Sequence, residues 1–521
     1  MRLNFRKFCW LLAVAGTLAA CAGAEPEFGF DRSDITPEQL AAATLLVGYQ
    51  QIDNLYVRPV DLGQVAMNGI NGLSELDPAI SAELSDDTIA VLSDDRVILS
   101  YGTPAPSDAR GWAEVTLAAI DYGRAVSPQL ADADPDTLIE AVFTGVTSGL
   151  DSYSRYLPPN QASVERTLRE GYGGVGMLLD LEPSGEVIIR EIFQDGPAAE
   201  AGMQAGGQIV SIDGESTEAW TIEQLGEGLR GPIGTRVRVG VRNADGTLET
   251  FRLTRDQVIP TVVHVRIDDD IAVVDISRFN TAVVEQLRDT VIEVVANEGP
   301  SLRGIVLDLR GNPGGLLGQS VDVADLFISR GEIIRTRGRH PRSDQEFLSD
   351  PDDIANGLPM AVLVDGRSAS AAEIVAAALQ DSGRAIVIGA SSFGKGSVQT
   401  VTPLPNGGEL FLTWSRIFAP SGFTIDQQGV LPTVCTSVGI YDADSLVSRF
   451  RDGSLPVPAS LADLRQRAAD DAESLRQLRA ECPWRVHSAE LDVMVAIDVL
   501  NDPSLYRQAV AAALTGTETS G

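Results

Sequence analysis

Apolar residues recur every three to four positions from Thr36 to about Arg169, most clearly over 37–56 and 112–126, and that period predicts amphipathic helices. Two stretches of this region resemble each other. Residues 61–78 (DLGQVAMNGINGLSELDP) and 136–153 (DTLIEAVFTGVTSGLDSY) each run through a helical pattern to Gly-Leu and an acidic turn, which suggests duplicated helical hairpins. At Gly171 the pattern changes to short apolar runs between Gly and Pro turns, at 175–181, 186–193, 208–212, 235–242 and 250–254. These read as strands of a compact β-rich module. From Ile271 to about Thr433, strand-like runs (271–276, 304–309, 361–364, 385–388) alternate with helical ones, the signature of a layered α/β core. The remainder is mostly helical and charge-mixed. The divisions are a helical region at 35–169, the β-rich module at 170–258, the α/β core at 259–434 and a helical extension at 435–521.

The chain has 521 residues, too many for one core, and a formal net charge of -33. Such a surface repels nucleic acid and anionic lipid, so membrane contact requires a covalent anchor. Arg2, Arg6 and Lys7 precede an apolar run at 8–15 that is too short to span a bilayer, which marks 1–20 as a signal peptide. Leu18-Ala-Ala-Cys21 resembles a bacterial lipobox. Cys21 would then be the lipidated first residue, followed by a tether over 21–34, and the protein would sit in the bacterial cell envelope as a periplasmic, lipid-anchored species. Ordinary cleavage after a small residue is the alternative. The other two cysteines of the exported body, Cys435 and Cys482, form a plausible disulfide, with two separate buried thiols as the alternative. His264, His340 and His487 are far apart in sequence and the cysteine spacing fits no zinc motif, so neither metal nor cofactor is expected.

Two glycine-rich runs imitate nucleotide sites. Gly171-Tyr-Gly-Gly-Val-Gly176 spells GxGxxG, but a strand pattern follows it where a dinucleotide site needs a helix. Residues 389–395 nearly spell a phosphate loop, yet Gly396 lacks the magnesium-binding hydroxyl and again a strand follows. The lysines are more informative. All but two of the 40 basic residues are arginine, and the lysines are Lys7, in the signal peptide, and Lys395. A chain that uses arginine for every surface cation keeps a lysine where arginine fails. An ammonium can lose its proton and become a general base, whereas a guanidinium effectively cannot.

A base needs a nucleophile. Ser370 falls after a strand pattern and a loop and just before a helical run, which puts its hydroxyl on a strand-loop-helix turn with the Ala371 N–H free to hold an oxyanion. Ser370-Ala-Ala-Glu373 is also a capping box, which needs no catalysis. A second turn, Arg310-Gly-Asn-Pro-Gly314-Gly315, exposes backbone N–H groups that could complete an oxyanion hole. Gln399 lies four residues beyond Lys395, on the same side of an extended chain, where its amide could orient the amine.

Taken together, Ser368-Ala-Ser370-Ala-Ala-Glu373-Ile, Phe393-Gly-Lys395-Gly-Ser-Val-Gln399 and Leu307-Asp-Leu-Arg-Gly-Asn-Pro-Gly-Gly315 resemble the C-terminal processing peptidases, or tail-specific proteases, over residues 136–433. The resemblance implies a multidomain α+β protein: a helical N-terminal region, a PDZ domain, a crotonase/ClpP-like α/β protease core and a helical C-terminal extension. It places nucleophile, base and base-orienting amide on Ser370, Lys395 and Gln399. It also implies that Gly174, Val175, Gly176 and Met177 form the loop that holds a peptide's terminal carboxylate, and that Arg230 couples PDZ occupancy to the active site. Where relatives carry Gly-Asp before a later PDZ strand, this chain has Gly207-Gln208. The implied partners are proteins or peptides with free, apolar C-terminal tails. An adaptor protein and a homo-oligomer are left open. Two rivals remain on sequence grounds, a non-catalytic PDZ scaffold on a protease-like fold and an acyl-CoA enzyme on a crotonase core.

Overall fold

The computed structural model describes residues 36–85, 87–182, 186–193, 196–439, 441–455, 461–484 and 489–514. The expected signal peptide at 1–20, Cys21, the expected tether and His487 lie outside the described residues. Within them, no helix is long and apolar enough to cross a membrane. The chain divides into two compact units that cut across the linear divisions expected from sequence. Among the described residues, the first takes those up to Val164 together with Thr336–Gln345 and Ser397–Arg416, and the second takes the rest.

In the first unit, helices Pro37–Leu55, Leu62–Gly72, Ala109–Val126 and Pro135–Ser148 each start at an oxygen-bearing cap: Thr36, Asp61, Asp108 and Asp134. The two similar stretches are not two hairpins. Each supplies one helix, and the helices Leu62–Gly72 and Pro135–Ser148 cross so closely that a Cβ on Gly72 would lie 2.2 Å from the Ala141 carbonyl oxygen and one on Gly145 would lie 2.2 Å from that of Asn68. Gly72 and Gly145 therefore serve backbone contact, whereas Gly149, which ends the second stretch as Gly72 ends the first, faces the Asn68 side chain. A second departure is the antiparallel meander Ile80–Ser85, Thr88–Ser93 and Arg96–Gly102, inside a region expected to be helical. Its strands alternate, burying Ile80, Ala82, Ile89, Val91 and Leu99. The second and third strands turn through Asp94 and Asp95, with Asp94 at φ +51°. The unit is completed by the antiparallel pair Ser397–Pro403 and Glu409–Phe418, the latter also pairing with Arg155–Leu157.

In the second unit, the β-rich module has the strand order Leu248–Thr254, Arg236–Arg242, Gln208–Ile212, Val187–Ile192, Met177–Leu181, so among the described residues the last of these is an open edge. Helix Ile222–Leu229 packs beside that edge strand. The larger sheet runs Val263–Asp268, Ile271–Ile276, Gly304–Asp308, Met360–Val364, Ile386–Gly389, Val434–Cys435, parallel after the first pair. Gly304–Asp308 and Met360–Val364 are buried along their whole length, as parallel strands covered on both faces must be. The C-terminal extension supplies part of that cover. Leu446, Phe450, Val495, Val499 and Leu505 pack against Ile271, Val273, Ala361, Leu363, Ile386 and Ile388, one face of the sheet.

Candidate active site

Three loops leave neighbouring parallel strands at their carboxyl ends, the usual place for a site in such a sheet. The first follows Gly304–Asp308. Its turn is pinned by Arg310, which donates to Asp308 Oδ1 at 2.8 Å and to Asp492 Oδ2 at 3.1 Å. The second follows Met360–Val364 and leads through Ser370 into helix Ala371–Asp381. Asp365 ties the two loops together by accepting from the N–H groups of Gly311 (2.9 Å), Arg367 (2.9 Å) and Ser368 (3.1 Å). Burial alone would raise its carboxyl, but these donors and the Arg367 guanidinium hold it below the usual range. The Ala369 N–H donates to the Asn312 carbonyl at 2.9 Å, and a Cβ on Gly314 would press to within 3.0 Å of Ala371 N.

Ser370 itself stands at φ +55° and is half-buried. A non-glycine residue there carries strain of about 1–3 kcal/mol, a cost that the surrounding hydrogen bonds must offset.

The third loop follows Ile386–Gly389 and carries Lys395, half-buried, between two glycines that no larger residue replaces: Gly394 has φ +92°, and a Cβ on Gly396 would lie 1.9 Å from Asp426 N. Its backbone is held by Gln427 N–H donating to the Gly394 carbonyl (2.8 Å) and Ile417 N–H to that of Gly396 (2.8 Å). Phe393 N–H donates to the Ser368 carbonyl at 2.9 Å, joining this loop to the second.

Glu373 fixes the two loops against each other. Its side chain is fully buried, one helical turn after Ser370. Oε2 accepts the N–H of Ser370 (2.8 Å) and of Lys395 (2.9 Å); Oε1 accepts the N–H of Gly394 (2.7 Å) and the Ser392 hydroxyl. Burial pushes this carboxyl up, against the four donors. The capping-box contact read in the sequence is thus present, but the same carboxylate also reaches 22 residues further along the chain. No local pattern encodes that second half.

Of the three backbone groups expected around an oxyanion, Gly314 N–H donates to Asn312 Oδ1 at 2.8 Å. Among the described residues, the N–H groups of Ala371 and Gly315 donate to no protein partner. In the first unit, the Gln399 amide donates to the Tyr153 carbonyl and accepts from Arg155 at 3.4 Å.

The profile described as peptidase family S41 matches residues 270–436, and that of the PDZ domain matches 188–243. A carboxy-terminal-processing protease of Bartonella bacilliformis is 37% identical over 305 residues, covering 58% of this chain and 70% of the relative. The chain belongs to the carboxy-terminal processing peptidases. A second member, the carboxy-terminal processing protease of Bacillus subtilis, is 30% identical over 61% of this chain and 68% of its own. Among solved structures, the photosystem II D1 C-terminal processing protease aligns with 76% of this chain and 92% of its own, at 24% identity and a TM-score of 0.37. This peptidase is accordingly a PDZ-containing serine protease acting on peptides or proteins. Catalysis prevails over the scaffold alternative.

The matched PDZ segment leaves the loop 174–177 just upstream. Gly174 ends the strand Tyr172–Gly174, Val175 is buried, Gly176 has φ +78°, and Met177 begins the edge strand. Arg230 is exposed, with its guanidinium 5.1 Å from the Tyr172 ring centre, and the next N–H, of Gly231, donates to the Gly173 carbonyl at 3.0 Å. Helix Ile222–Leu229 holds two glycines for different reasons. A Cβ on Gly228 would meet Ile212 and Trp220 at 3.0 Å. Gly226 lies on the opposite flank, about 200° around the helix, and a Cβ there would meet nothing within 4 Å. Cys435 and Cys482 are joined as a disulfide.

Proposed function

We propose that this peptidase cleaves through a Ser370/Lys395 pair. One atom supports the pairing: Glu373 Oε2 accepts the backbone N–H of both residues, so their nitrogens lie no further apart than those two hydrogen bonds laid end to end. Ser370 Oγ attacks the scissile carbonyl while the neutral Lys395 amine takes its proton, and the resulting ammonium returns that proton to the leaving amine. The N–H groups of Ala371 and Gly315 face the developing oxyanion. Gly314, its own N–H already used, acts as the spacer that brings this turn against Ser370. Gln399 takes the base-orienting role that its motif position implies. Water then repeats the cycle on the acyl-enzyme, with Lys395 as base. Enzyme quenched during turnover should carry the acyl group on the peptide that contains Ser370. Acylation of a different side chain would remove the proposed nucleophile.

The PDZ module selects the substrate. A protein tail adds as a further strand to the open edge Met177–Leu181, with its carboxylate held by backbone N–H groups of residues 174–177 and Arg230 relaying occupancy. A free, apolar C-terminus should therefore be cut with a KM on the order of tenfold lower than its amidated form, the effect expected of one set of charge-assisted hydrogen bonds. Equal values for acid and amide would show that something other than the terminus is recognised. Because Gly226 leaves the helix flank open, Gly226→Phe should weaken binding of tails ending in bulky residues more than of those ending in alanine. A uniform change would place Gly226 away from the groove.

Lipidation of Cys21 would tether the catalytic body to the envelope. Cys21→Ser should move the protein from the membrane fraction to the soluble one without changing kcat on a peptide, and retention on membranes would count against the anchor.

A further inference from the structure

We propose that Arg479 and Cys482, on the C-terminal extension and outside the matched peptidase segment, are positioning residues for the loop that carries Lys395. The inference rests on Lys395 being the base. Helix Ala472–Glu481 brings Arg479 to the two backbone segments between which Lys395 is held. Its guanidinium donates to the Gln427 carbonyl at 3.0 Å, to the Gln428 carbonyl at 3.4 Å and to the Ser392 carbonyl at 3.2 Å. A planar fork of five donors can join several acceptors in one rigid geometry, which a single ammonium cannot. The joined segments matter to the site. Gln427 N–H is the donor to the Gly394 carbonyl, and the Ser392 hydroxyl is one of the four donors on Glu373. Ser392 therefore connects the extension on its main-chain side with the Glu373 clamp on its side-chain side.

Cys482 makes the adjoining contact. Its carbonyl accepts the Ser391 N–H at 3.2 Å and the Ser391 hydroxyl at 2.5 Å. The residue is fixed in turn to Cys435, the last residue of the sixth strand of the large sheet, so the strap is anchored to the sheet from which the catalytic loops emerge. Two residues later, the Trp484 indole lies over Gly366, so closely that a Cβ on the glycine would fall 2.2 Å from the ring. One short segment of the extension thus presses on the base loop and on the nucleophile loop together.

Steady-state kinetics on the full chain test this. Arg479→Ala should lower kcat by on the order of tenfold to a hundredfold, the effect of a slightly misplaced catalytic group, with KM and tail-peptide affinity changed by less than about twofold. Arg479→Lys, whose single nitrogen cannot span all three carbonyls in the same way, should recover part of the loss. Dithiothreitol gives two electrons to the Cys435–Cys482 bridge, each sulfur takes a proton, and the reagent closes to its own cyclic disulfide. The reduced enzyme, checked by circular dichroism to be folded, should show the same fall in kcat at constant KM. Wild-type kcat in Arg479→Ala and in the reduced enzyme would overturn the proposal. So would a rise in KM alone, or a loss of activity that only follows the loss of folded protein. Lys395→Arg run alongside separates the two levels: if it turns over, the base assignment has failed, and if it is dead while Arg479→Ala is normal, only the strap has.

Discussion

Replacing Lys395 by arginine is expected to abolish turnover, by on the order of a thousandfold or more, in a protein that still folds and still binds tails. Arginine carries the same charge as the protonated lysine, and the main-chain N–H that donates to Glu373 is untouched. Only the ability to release a proton is lost, since a guanidinium remains protonated at every accessible pH. A free lysine titrates near ~10.4, so the proposed base must be shifted downward by its surroundings. Wild-type kcat should therefore climb with pH through an apparent pKa below that value. Ser370→Ala should be as inactive as Lys395→Arg, and the double variant little worse than either, because the two act as one unit. A folded Lys395→Arg enzyme that retains even a tenth of wild-type kcat on an unfolded protein substrate would refute the pair.

Glu373→Gln should be nearly as damaging, although it keeps size and shape. Each carboxylate oxygen accepts two donors, so an amide turned either way exchanges two accepted bonds for an N–H₂ group facing two donors. The expected costs are about 2–4 kcal/mol of stability, from buried donors left without acceptors, and a fall in kcat on the order of a hundredfold as the two loops drift apart. A simple helix cap would behave differently. Its loss costs about 1 kcal/mol and leaves the chemistry alone. Chemical denaturation beside kcat decides between them, and Glu373→Gln with normal kcat and a loss near 1 kcal/mol would reduce this residue to a cap.

Ser370 and Lys395 stood out as candidates for different reasons: the lysine is the exception in a body that otherwise uses arginine, while the serine falls on a strand-loop-helix turn that an ordinary helix cap would fill equally well. The central parallel strands were legible because their apolar runs are nearly continuous, and the PDZ strands because turn residues such as Gly176, Gly207 and Gly214 separate short apolar or alternating runs. What escaped was non-local. Glu373 satisfied a four-residue rule so well that its reach to Lys395 left no trace in sequence. Gly314 and Gly315 are equivalent on paper, and only the Asn312 side chain distinguishes them. Arg479 sits in a charge-mixed helix that reads as solvated surface and Asp492 in a mostly apolar one, yet the partners named for them lie 52 and 182 positions upstream. The meander at 80–102 was hidden by its setting, because short alternating runs among alanine-rich helices give a weak period.

The threading of the first unit bears on how the chain can be made. Its apolar core is closed by Leu404, Leu410 and Leu412, and the Thr413 carbonyl accepts the N–H of Val57. A ribosome that has finished Val164 must therefore add about 250 more residues before those partners exist, roughly ten to fifty seconds of synthesis. For that interval the nascent helices present an uncovered apolar face, the kind of surface that holding chaperones bind and that seeds aggregation when they are scarce. Any shortened gene that stops between the PDZ module and Ser397 would make this waiting state permanent.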